Sequence, residues 1–259
     1  ASRNNDQHYC PARRSPRVIP KREPASPMCS IFSIFDLQPG DDIAFLRRHA
    51  LECSARQRHR GPDWSGFHVD EGAILVHERL AIVDPAGGSQ PLKSEDGRLV
   101  LAVNGEIYNH RELKGELRKD YAFQTGSDCE VINALYAAGI AGSDDASAGA
   151  EAEQGDDTTD ADGVGAWLSR LNGIFAFALW DAARGRAVIA RDPIGVCPLY
   201  WGHDGDGRLW VASEMKALAR TCADVAQFPP GHWYDTATGE LRSYWQRPWR
   251  EHGATLGRE

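Results

Sequence analysis

Short apolar runs bounded by turn residues recur along the chain, and they predict strands in two groups. The first group lies early in the sequence, at Cys29–Phe35, Ala73–His77, Leu80–Val83 and Leu99–Val103. The second lies late, at Ile174–Trp180, Ala187–Ala190, Leu199–Trp201 and Leu209–Ala212. Runs of this length and composition are typical of buried strands. We therefore expect sheet structure to come from both ends of the chain.

Three segments have helical periodicity and the residues that mark helix boundaries. Asp41–Arg60 is followed by Gly61-Pro62 and places several apolar residues on one face: Ile43, Leu46, Ala50 and Leu51. Asn109–Leu117 and Ser127–Ala138 each begin with a capping box, formed by Asn109 with Glu112 and by Ser127 with Glu130. Strands at both ends with helices between them predict an α+β layered sandwich, not an alternating doubly wound sheet.

Two stretches lack this pattern. Residues 1–27 hold five of the fourteen prolines and carry six basic and two acidic side chains, which predicts a disordered extension or a leader. Residues 143–163 contain eight acidic residues and no basic one, which predicts a solvated acidic loop. We therefore predict one domain over residues 28–247 that carries this loop, with residues 248–259 as a tail.

Composition and charge exclude several classes of function. The chain has 37 acidic and 29 basic residues, and its net charge of −8 argues against nucleic-acid binding. No window approaches the roughly 20 apolar residues of a membrane span. The six cysteines form no C-x-x-C pair and the nine histidines are scattered, so we expect neither a disulfide framework nor a metal site. Such cysteine usage favours a reducing, cytoplasmic location.

Common catalytic motifs are also missing from the sequence. It contains no G-x-G-x-x-G, no G-x-x-x-x-G-K-[ST] and no H-E-x-x-H. Dinucleotide-binding, Walker-type and zincin interpretations therefore lack support.

Cys29 is the first candidate for chemistry, in the sequence Met28-Cys29-Ser30-Ile31 that leads into the first predicted strand. An internal cysteine at such a position is usually a small buried hydrophobe. If Met28 is the start of translation, its removal leaves Cys29 as the N-terminal residue. An α-amino group with an intrinsic pKa near 8 can accept the proton of the adjacent thiol. One residue would then supply both the nucleophile and the base.

Three further segments each have a purely local interpretation. Arg58-His59-Arg60-Gly61-Pro62-Asp63-Trp64 is explained as a helix stop. Asn104-Gly105-Glu106-Ile107-Tyr108-Asn109 is explained as a type I′ hairpin turn at Asn-Gly. Thr125-Gly126-Ser127-Asp128-Cys129-Glu130 is explained as a capping box. Their combination with Cys29, in this order and at these spacings, points beyond the local explanations.

Together these segments resemble the glutaminase domain of class II glutamine amidotransferases, which belong to the N-terminal-nucleophile hydrolases. The resemblance covers nearly all of residues 28–247 except the acidic segment. It also includes H-E-R-L-A-I-V-D, G-I-F-A-F-A-L-W-D, R-D-P-I-G and V-A-S-E-M-K-A-L. The form N-G-E-I-Y-N resembles the asparagine synthetase branch, not the phosphosugar or purine-pathway amidotransferases. The resemblance implies a four-layer α/β/β/α sandwich.

The resemblance also implies a role for individual residues. The family's nucleophile corresponds to Cys29, and its oxyanion hole corresponds to the Asn104 side chain and the Gly105 backbone N–H. The family residue that binds the glutamine α-carboxylate corresponds to Arg79, and those that bind its α-ammonium group correspond to Glu106 and Asp128. The family residues that contact the substrate through their backbone correspond to Leu80, Ala81, Ile82 and Val83. Without the resemblance, Arg79 would be a surface ion pair with Glu78 and Asp128 a partner of a helix dipole.

The implied function is hydrolysis of L-glutamine to glutamate and ammonia for asparagine biosynthesis. The family's synthetase domain, which binds ATP and Mg²⁺, has no counterpart in this sequence. We therefore expect no cofactor in this chain and a separate synthetase domain or chain as the acceptor of ammonia. The alternative is a catalytically silent, glutaminase-like binding module or relic in which residues 1–27 block Cys29. Whether the chain forms a homodimer is left open.

Overall fold

The computed structural model describes residues 28–81, 87–146 and 163–245, which form two six-stranded antiparallel sheets. The strands are β1 (Ser30–Phe35), β2 (Trp64–Val69), β3 (Ile74–Arg79), β4 (Leu92–Lys93), β5 (Leu99–Ile107), β6 (Gly173–Asp181), β7 (Arg186–Arg191), β8 (Tyr200–His203), β9 (Leu209–Ala212), β10 (Ala226–Gln227), β11 (His232–Asp235) and β12 (Glu240–Ser243). The helices are α1 (Ile43–Ala55), α2 (His110–Leu117), α3 (Val131–Ala146) and α4 (Val164–Leu168), with 3₁₀ turns at Asp128–Glu130 and Met215–Ala217.

The two sheets pack face to face and are covered by helices on their outer sides. The first sheet has the order β10-β8-β9-β1-β3-β2, and the second has the order β12-β11-β7-β6-β5-β4. Residues such as Ile31 and Leu75 of the first sheet share one apolar cluster with Ala102 and Ile189 of the second. α1 packs on the outside of the first sheet, and α2, α3 and α4 pack on the outside of the second. The predicted four-layer α/β/β/α sandwich is confirmed.

β1 and β5 are the strands that position the candidate chemistry. β1 is completely buried between β3 and β9, with Ser30 opposite Glu78 and Phe32 opposite Ala212. Cys29 is therefore the residue directly before a central strand. β5 pairs with β6 along its whole length, and this places Gly105 opposite Phe175. The Asn-Gly pair lies inside a strand, so its interpretation as a hairpin turn was wrong.

Several predicted element boundaries also differ from the structure. α1 ends at Ala55, and turns occupy the rest of the predicted helix to Arg60. β3 ends at Arg79, so the predicted strand Leu80–Val83 was wrong at its first two residues. Leu80 N–H faces the Cys29 sulfur and Ala81 N–H donates to Asp63, instead of to a neighbouring strand. Ile82 and Val83 lie outside the described residues.

The helix predicted at Ser127–Ala138 begins and ends later than expected. A 3₁₀ turn precedes it, and α3 continues to Ala146, which makes the first four positions of the predicted acidic loop helical. Ile132, Tyr136 and Ile140 are buried at a spacing of four residues, which continues the packed face past Ala138. Residues 147–162 of the acidic segment and residues 1–27 and 248–259 fall outside the described ranges, and their assignment stays a prediction.

Asn109 was also wrongly predicted as a helix cap. Its side chain makes no capping hydrogen bond to α2. Instead its Nδ2 donates to Arg170 O at 2.9 Å, and its Oδ1 accepts from Asn172 N–H at 3.0 Å. The side chain therefore ties the end of the Asn-Gly-Glu-Ile-Tyr-Asn motif to the segment that leads into β6.

His77 is a fully buried histidine that joins the two sheets. Its Nε2 lies 3.0 Å from the Val103 carbonyl oxygen, so Nε2 carries the hydrogen that it donates. Burial lowers the pKa of His77 to about 4; the nearby charge of Arg79 acts in the same direction, against the hydrogen bond to Val103. The folded state therefore binds a proton less readily than the unfolded chain, where the pKa is about 6.5.

We expect His77 to make stability depend on pH between about 6.5 and 4. Because the unfolded chain binds more protons in this window, the contribution is complete above pH 6.5 and is lost as the pH falls towards 4. The free energy of unfolding should drop by about 2 kcal/mol between pH 7.5 and pH 5 from this residue. Urea denaturation at both pH values measures the drop. His77→Gln should remove it, and an equal drop in this variant would contradict the assignment.

Candidate active site

An open cavity lies where Cys29, the end of β3 and the end of β5 come together. It is lined by Met28, Cys29, Arg79, Leu80, Gly88, Gln90, Asn104, Gly105, Glu106, Ser127, Asp128, Cys129 and Ile174. Seven of the ten candidate residues from the sequence thus line one cavity. Ala81 is outside the lining set, and Ile82 and Val83 are outside the described residues. The convergence joins residues that are up to 99 positions apart in the chain.

The Cys29 thiol is held by the backbone that follows β3. Leu80 N–H donates to Sγ at 3.3 Å, and Leu80 O lies 3.6 Å from the same sulfur. Burial raises the pKa of the Cys29 thiol, although the Leu80 N–H and the charges of Arg79 and Arg60 oppose this effect. With Cys29 inside a peptide chain, the sulfur is therefore protonated at neutral pH. A neighbouring base is needed to make it a nucleophile.

Asn104 offers a hydrogen-bond donor that nothing in the described structure uses. The residue is 1% exposed, and its Nδ2 has no hydrogen-bond partner among the described residues. A buried amide without a partner costs roughly 1–3 kcal/mol. Such groups are uncommon in native proteins, and a catalytic role is one explanation for them. The free donor beside the nucleophile suits an oxygen that gains negative charge.

Gly105 is required by the close approach of β6. A Cβ on this residue would lie 2.1 Å from the Ile174 carbonyl oxygen and 2.6 Å from the Phe175 Cα. Its φ of +154° is also a conformation that residues with side chains rarely adopt. Glycine thus keeps the strand at the edge of the cavity, directly after Asn104.

Arg79 and Asp128 supply opposite charges to the same cavity, and both are nearly buried. Arg79 is 6% exposed and Asp128 is 7% exposed, so the alternative of a surface ion pair at Arg79 does not hold. Glu78, the proposed partner in that alternative, accepts hydrogen bonds from the hydroxyls of Ser54 and Ser65. An α-amino acid carries one negative and one positive group, and this pair of side chains matches both.

The loop that carries Asp128 is fixed by buried hydrogen bonds. Asp128 Oδ2 accepts from Ile107 N–H at 2.8 Å. The fully buried Glu130 accepts from the N–H groups of Gln124 and Thr125 at 2.6 and 2.7 Å, while Lys114 Nζ donates to Ser127 O at 2.9 Å. The carboxylate of Asp128 is therefore held by a preformed loop.

Sequence reasoning missed several residues that build the site. Gln90 lines the cavity, and its Oε1 accepts from Val103 N–H at 2.8 Å. Cys129 also lines it, and burial raises the pKa of this thiol well above its usual range. Lys114 had no signal of its own. Cys129 did lie within the Thr125–Glu130 motif, which could have suggested it.

Within residues 28–81, 87–146 and 163–245, no three His, Cys, Asp or Glu side chains are grouped as metal ligands. No described helix is both long and apolar enough to cross a membrane.

Comparison with known proteins identifies the family of this chain. The described residues place a thiol directly before a central strand of one of two packed antiparallel sheets. Residues 77–220 match the family model of the glutamine amidotransferase domain, and the chain belongs to this family.

Curated relatives and one solved structure show which individual proteins this chain is similar to. Asparagine synthetase B [glutamine-hydrolyzing] of Escherichia coli (strain K12) is 47% identical over 227 residues, which cover 88% of this chain and 36% of that protein. The asparagine synthetase [glutamine-hydrolyzing] of Zea mays is 44% identical over 86% of this chain and 33% of its own. The glutamine phosphoribosylpyrophosphate amidotransferase from B. subtilis covers 85% of this chain and 50% of its own, with a TM-score of 0.61 and 22% identity, and so supports the fold alone. The chain spans about a third of the length of these curated relatives.

Proposed function

We propose that this chain hydrolyses L-glutamine to L-glutamate and ammonia when Cys29 is its first residue. The observation that carries the proposal is the content of one cavity. It combines a held thiol, a buried amide donor that has no partner among the described residues, and a buried pair of opposite charges, Arg79 and Asp128. These are the groups that a nucleophilic attack on an amino-acid side-chain amide needs.

Cys29 supplies the nucleophile and its own α-amine supplies the base. The α-amine takes the thiol proton, and the sulfur then attacks the amide carbon of the glutamine side chain. The carbon–nitrogen bond breaks as the ammonium group returns its proton to the departing nitrogen, which leaves as ammonia. Water then attacks the resulting thioester, releasing glutamate and restoring the thiol.

Asn104 and Gly105 stabilise the charge that forms on the amide oxygen during both attacks. The Asn104 Nδ2 has no competing partner among the described residues, so it needs no rearrangement before it can donate. The absence of a Cβ on Gly105 lets β6 pack against it, and this packing holds the Gly105 backbone at the cavity. Donors that are fixed before reaction are the most effective kind of electrostatic catalyst.

The residue before Cys29 is Met28, and its removal would change the site. It lines the same cavity and packs against the apolar cluster between the sheets. While Met28 is attached, the Cys29 nitrogen is an amide and cannot act as a base. Its removal would both create the amine and enlarge the cavity beside the thiol.

The relatives suggest where the ammonia goes. Their printed names describe glutamine-hydrolyzing asparagine synthetases, and this chain matches about a third of their length. We propose that the chain is the amidotransferase part of such a ligase, acts in the cytoplasm, and passes ammonia to a synthetase domain or chain. Asparagine formation would then need that second unit in addition to glutamine hydrolysis.

Replacing Arg79 by lysine tests recognition of the amino-acid end of the substrate. Lysine keeps the charge but loses the fork that binds both carboxylate oxygens, so KM for glutamine should rise about 100-fold while kcat changes less than about threefold. Steady-state glutamate formation by the chain that starts at Cys29 measures both constants. Arg242→Lys is the control, because Arg242 pairs with Glu240 away from the cavity. An unchanged KM in Arg79→Lys would contradict the assignment.

A further inference from the structure

Glu214 is the centre of an ionic cluster formed with His59, Arg60 and Lys216. It follows β9 and lies outside the residues that line the cavity. Its Oε1 is 3.0 Å from His59 Nε2 and 3.4 Å from Arg60 Nη1, and its Oε2 is 2.8 Å from Lys216 Nζ. Burial alone would raise the pKa of Glu214, but Lys216 and His59 outweigh it and lower the pKa. The carboxylate is therefore ionised at neutral pH.

Arg60 connects this cluster to the nucleophile. Its Nε donates to the Cys29 carbonyl oxygen at 3.2 Å, and its Nη1 donates to Glu214 Oε1. One guanidinium group thus bridges the main chain of Cys29 and the carboxylate of Glu214. Its remaining nitrogen, Nη2, is buried and has no hydrogen-bond partner among the described residues. Glu214 is consequently the side chain that orients this guanidinium.

The backbone next to Glu214 is fixed to β1, so the carboxylate has a rigid mount. Ser213 N–H donates to Ile31 O at 3.0 Å, and Ile31 N–H donates to Ser213 Oγ at 3.0 Å. Gln57 Nε2 donates to the same Ile31 carbonyl at 3.3 Å. Glu214 and Cys29 are therefore each within two residues of one hydrogen-bonded anchor.

An N-terminal nucleophile needs such an anchor more than an internal residue does. When Cys29 is the first residue, no preceding peptide restrains it, and rotation about its Cα–C bond moves both the amine and the thiol. The hydrogen bond from Arg60 to the carbonyl oxygen opposes that rotation. A displacement of about 1 Å in a reacting group can reduce a rate about 100-fold.

We propose that Glu214 is a positioning residue for glutamine hydrolysis, which fixes the orientation of Cys29 by holding Arg60 against its carbonyl oxygen. The inference rests on the proposed function. Glu214 touches neither substrate nor the reacting atoms, and it acts only through Arg60. Its partners His59 and Lys216 are more than half exposed, so this anchor extends from the molecular surface to the nucleophile.

The test is the kcat of glutamine hydrolysis per titrated active site, in the chain that starts at Cys29. Glu214→Ala should lower this kcat about tenfold and change KM less than twofold. Glu214→Gln keeps an oxygen that accepts from Arg60 and should retain about a third of the activity. Glu240→Gln is the matched control, since Glu240 also pairs with an arginine but on β12, and it should match the wild type.

A double-variant cycle shows whether Glu214 acts through Arg60. In a chain with Arg60→Lys, adding Glu214→Ala should lower kcat less than twofold further, because the bridge is already broken. A purely structural role would lower the thermal midpoint and the fraction of titratable sites, and leave kcat per site unchanged. A kcat per site in Glu214→Ala within twofold of wild type would overturn the proposal. Effects that multiply in the double variant would overturn it as well.

A second readout separates this proposal from the function on which it rests. If the wild-type chain that starts at Cys29 forms no glutamate, the proposed function fails. The anchor is then tested in that same chain, which starts at Cys29, by the rate at which iodoacetamide labels Cys29, quantified on the Cys29 peptide. Glu214→Ala should raise this rate at least threefold, because the released residue leaves its contacts with Leu80. An unchanged rate would overturn the anchoring role.

Discussion

Replacing Cys29 by alanine, in a chain that begins at this residue, is expected to lower glutamate formation by about 10⁴-fold or more. The substitution removes the sulfur that forms the thioester, and what remains is the binding energy and the oxyanion donors. Cys29→Ser keeps a hydroxyl but loses the intrinsic nucleophilicity of the thiol, so its activity should also be very low. Coupled detection of glutamate measures these rates.

The control for this substitution is another buried cysteine. Cys222 is a free thiol in the apolar cluster between α1 and the first sheet. Cys222→Ala removes one sulfur from the chain without touching the cavity and should retain activity. Equal rates for the wild type and Cys29→Ala would contradict the assignment of the nucleophile.

Removing the amide of Asn104 is expected to have the second largest effect. Loss of one oxyanion donor typically lowers kcat by 10²–10³-fold, or about 2.7–4 kcal/mol. Asn104→Leu keeps most of the side-chain volume and Asn104→Ala does not, so a similar fall in kcat in both variants identifies the donor as the cause. KM should change little, because the donor acts on charge that forms in the transition state.

The same substitution should leave stability unchanged or raise it. The Nδ2 of Asn104 is buried without a partner among the described residues, so replacing the amide by an apolar group of similar size removes a desolvation cost. Urea denaturation of Asn104→Leu measures this. Retained glutaminase activity would contradict the oxyanion role, and a large loss of stability would show that the amide has a structural partner.

Much of the layered fold was predictable because buried strands carry a strong apolar signal. The runs at Cys29–Phe35, Ile174–Trp180 and Leu209–Ala212 each correspond to a strand of the structure. β2 was missed because it is an edge strand of the first sheet with no buried residue, where apolar alternation is weak. β12 is also a mostly exposed edge strand, and it was missed for the same reason.

Local rules failed where pairing across the sheet decides the conformation. Asn104-Gly105 has the composition of a tight turn, yet β6 pairs along β5 as far as Ile107 opposite Gly173. Nine consecutive pairings outweigh the preference of two residues for a turn. The same explanation holds at Asn109, where the side chain binds the backbone that leads into β6 and not the start of α2.

The candidate site required information that lies far apart in the sequence. Cys29, Asn104 and Asp128 each had an ordinary local explanation, and the family resemblance joined them before the structure placed them in one cavity. The contacts that hold them were not predictable from local sequence. The hydrogen bond from Arg60 to Cys29 joins residues 31 positions apart, and the hydrogen bond from Arg60 to Glu214 joins residues 154 positions apart. No local periodicity can reveal contacts over such separations.

The most direct test of the central claim compares two forms of one chain in the same glutamine assay. One form is the full 259-residue chain, and the other is cleaved directly before Cys29 at an introduced protease site, with both N-termini verified by mass spectrometry. Only the second form has a free amine beside the thiol. We expect the cleaved chain to release glutamate and ammonia in equal amounts and the full chain to release neither. Equal rates in the two forms would contradict the claim that Cys29 acts as an N-terminal nucleophile.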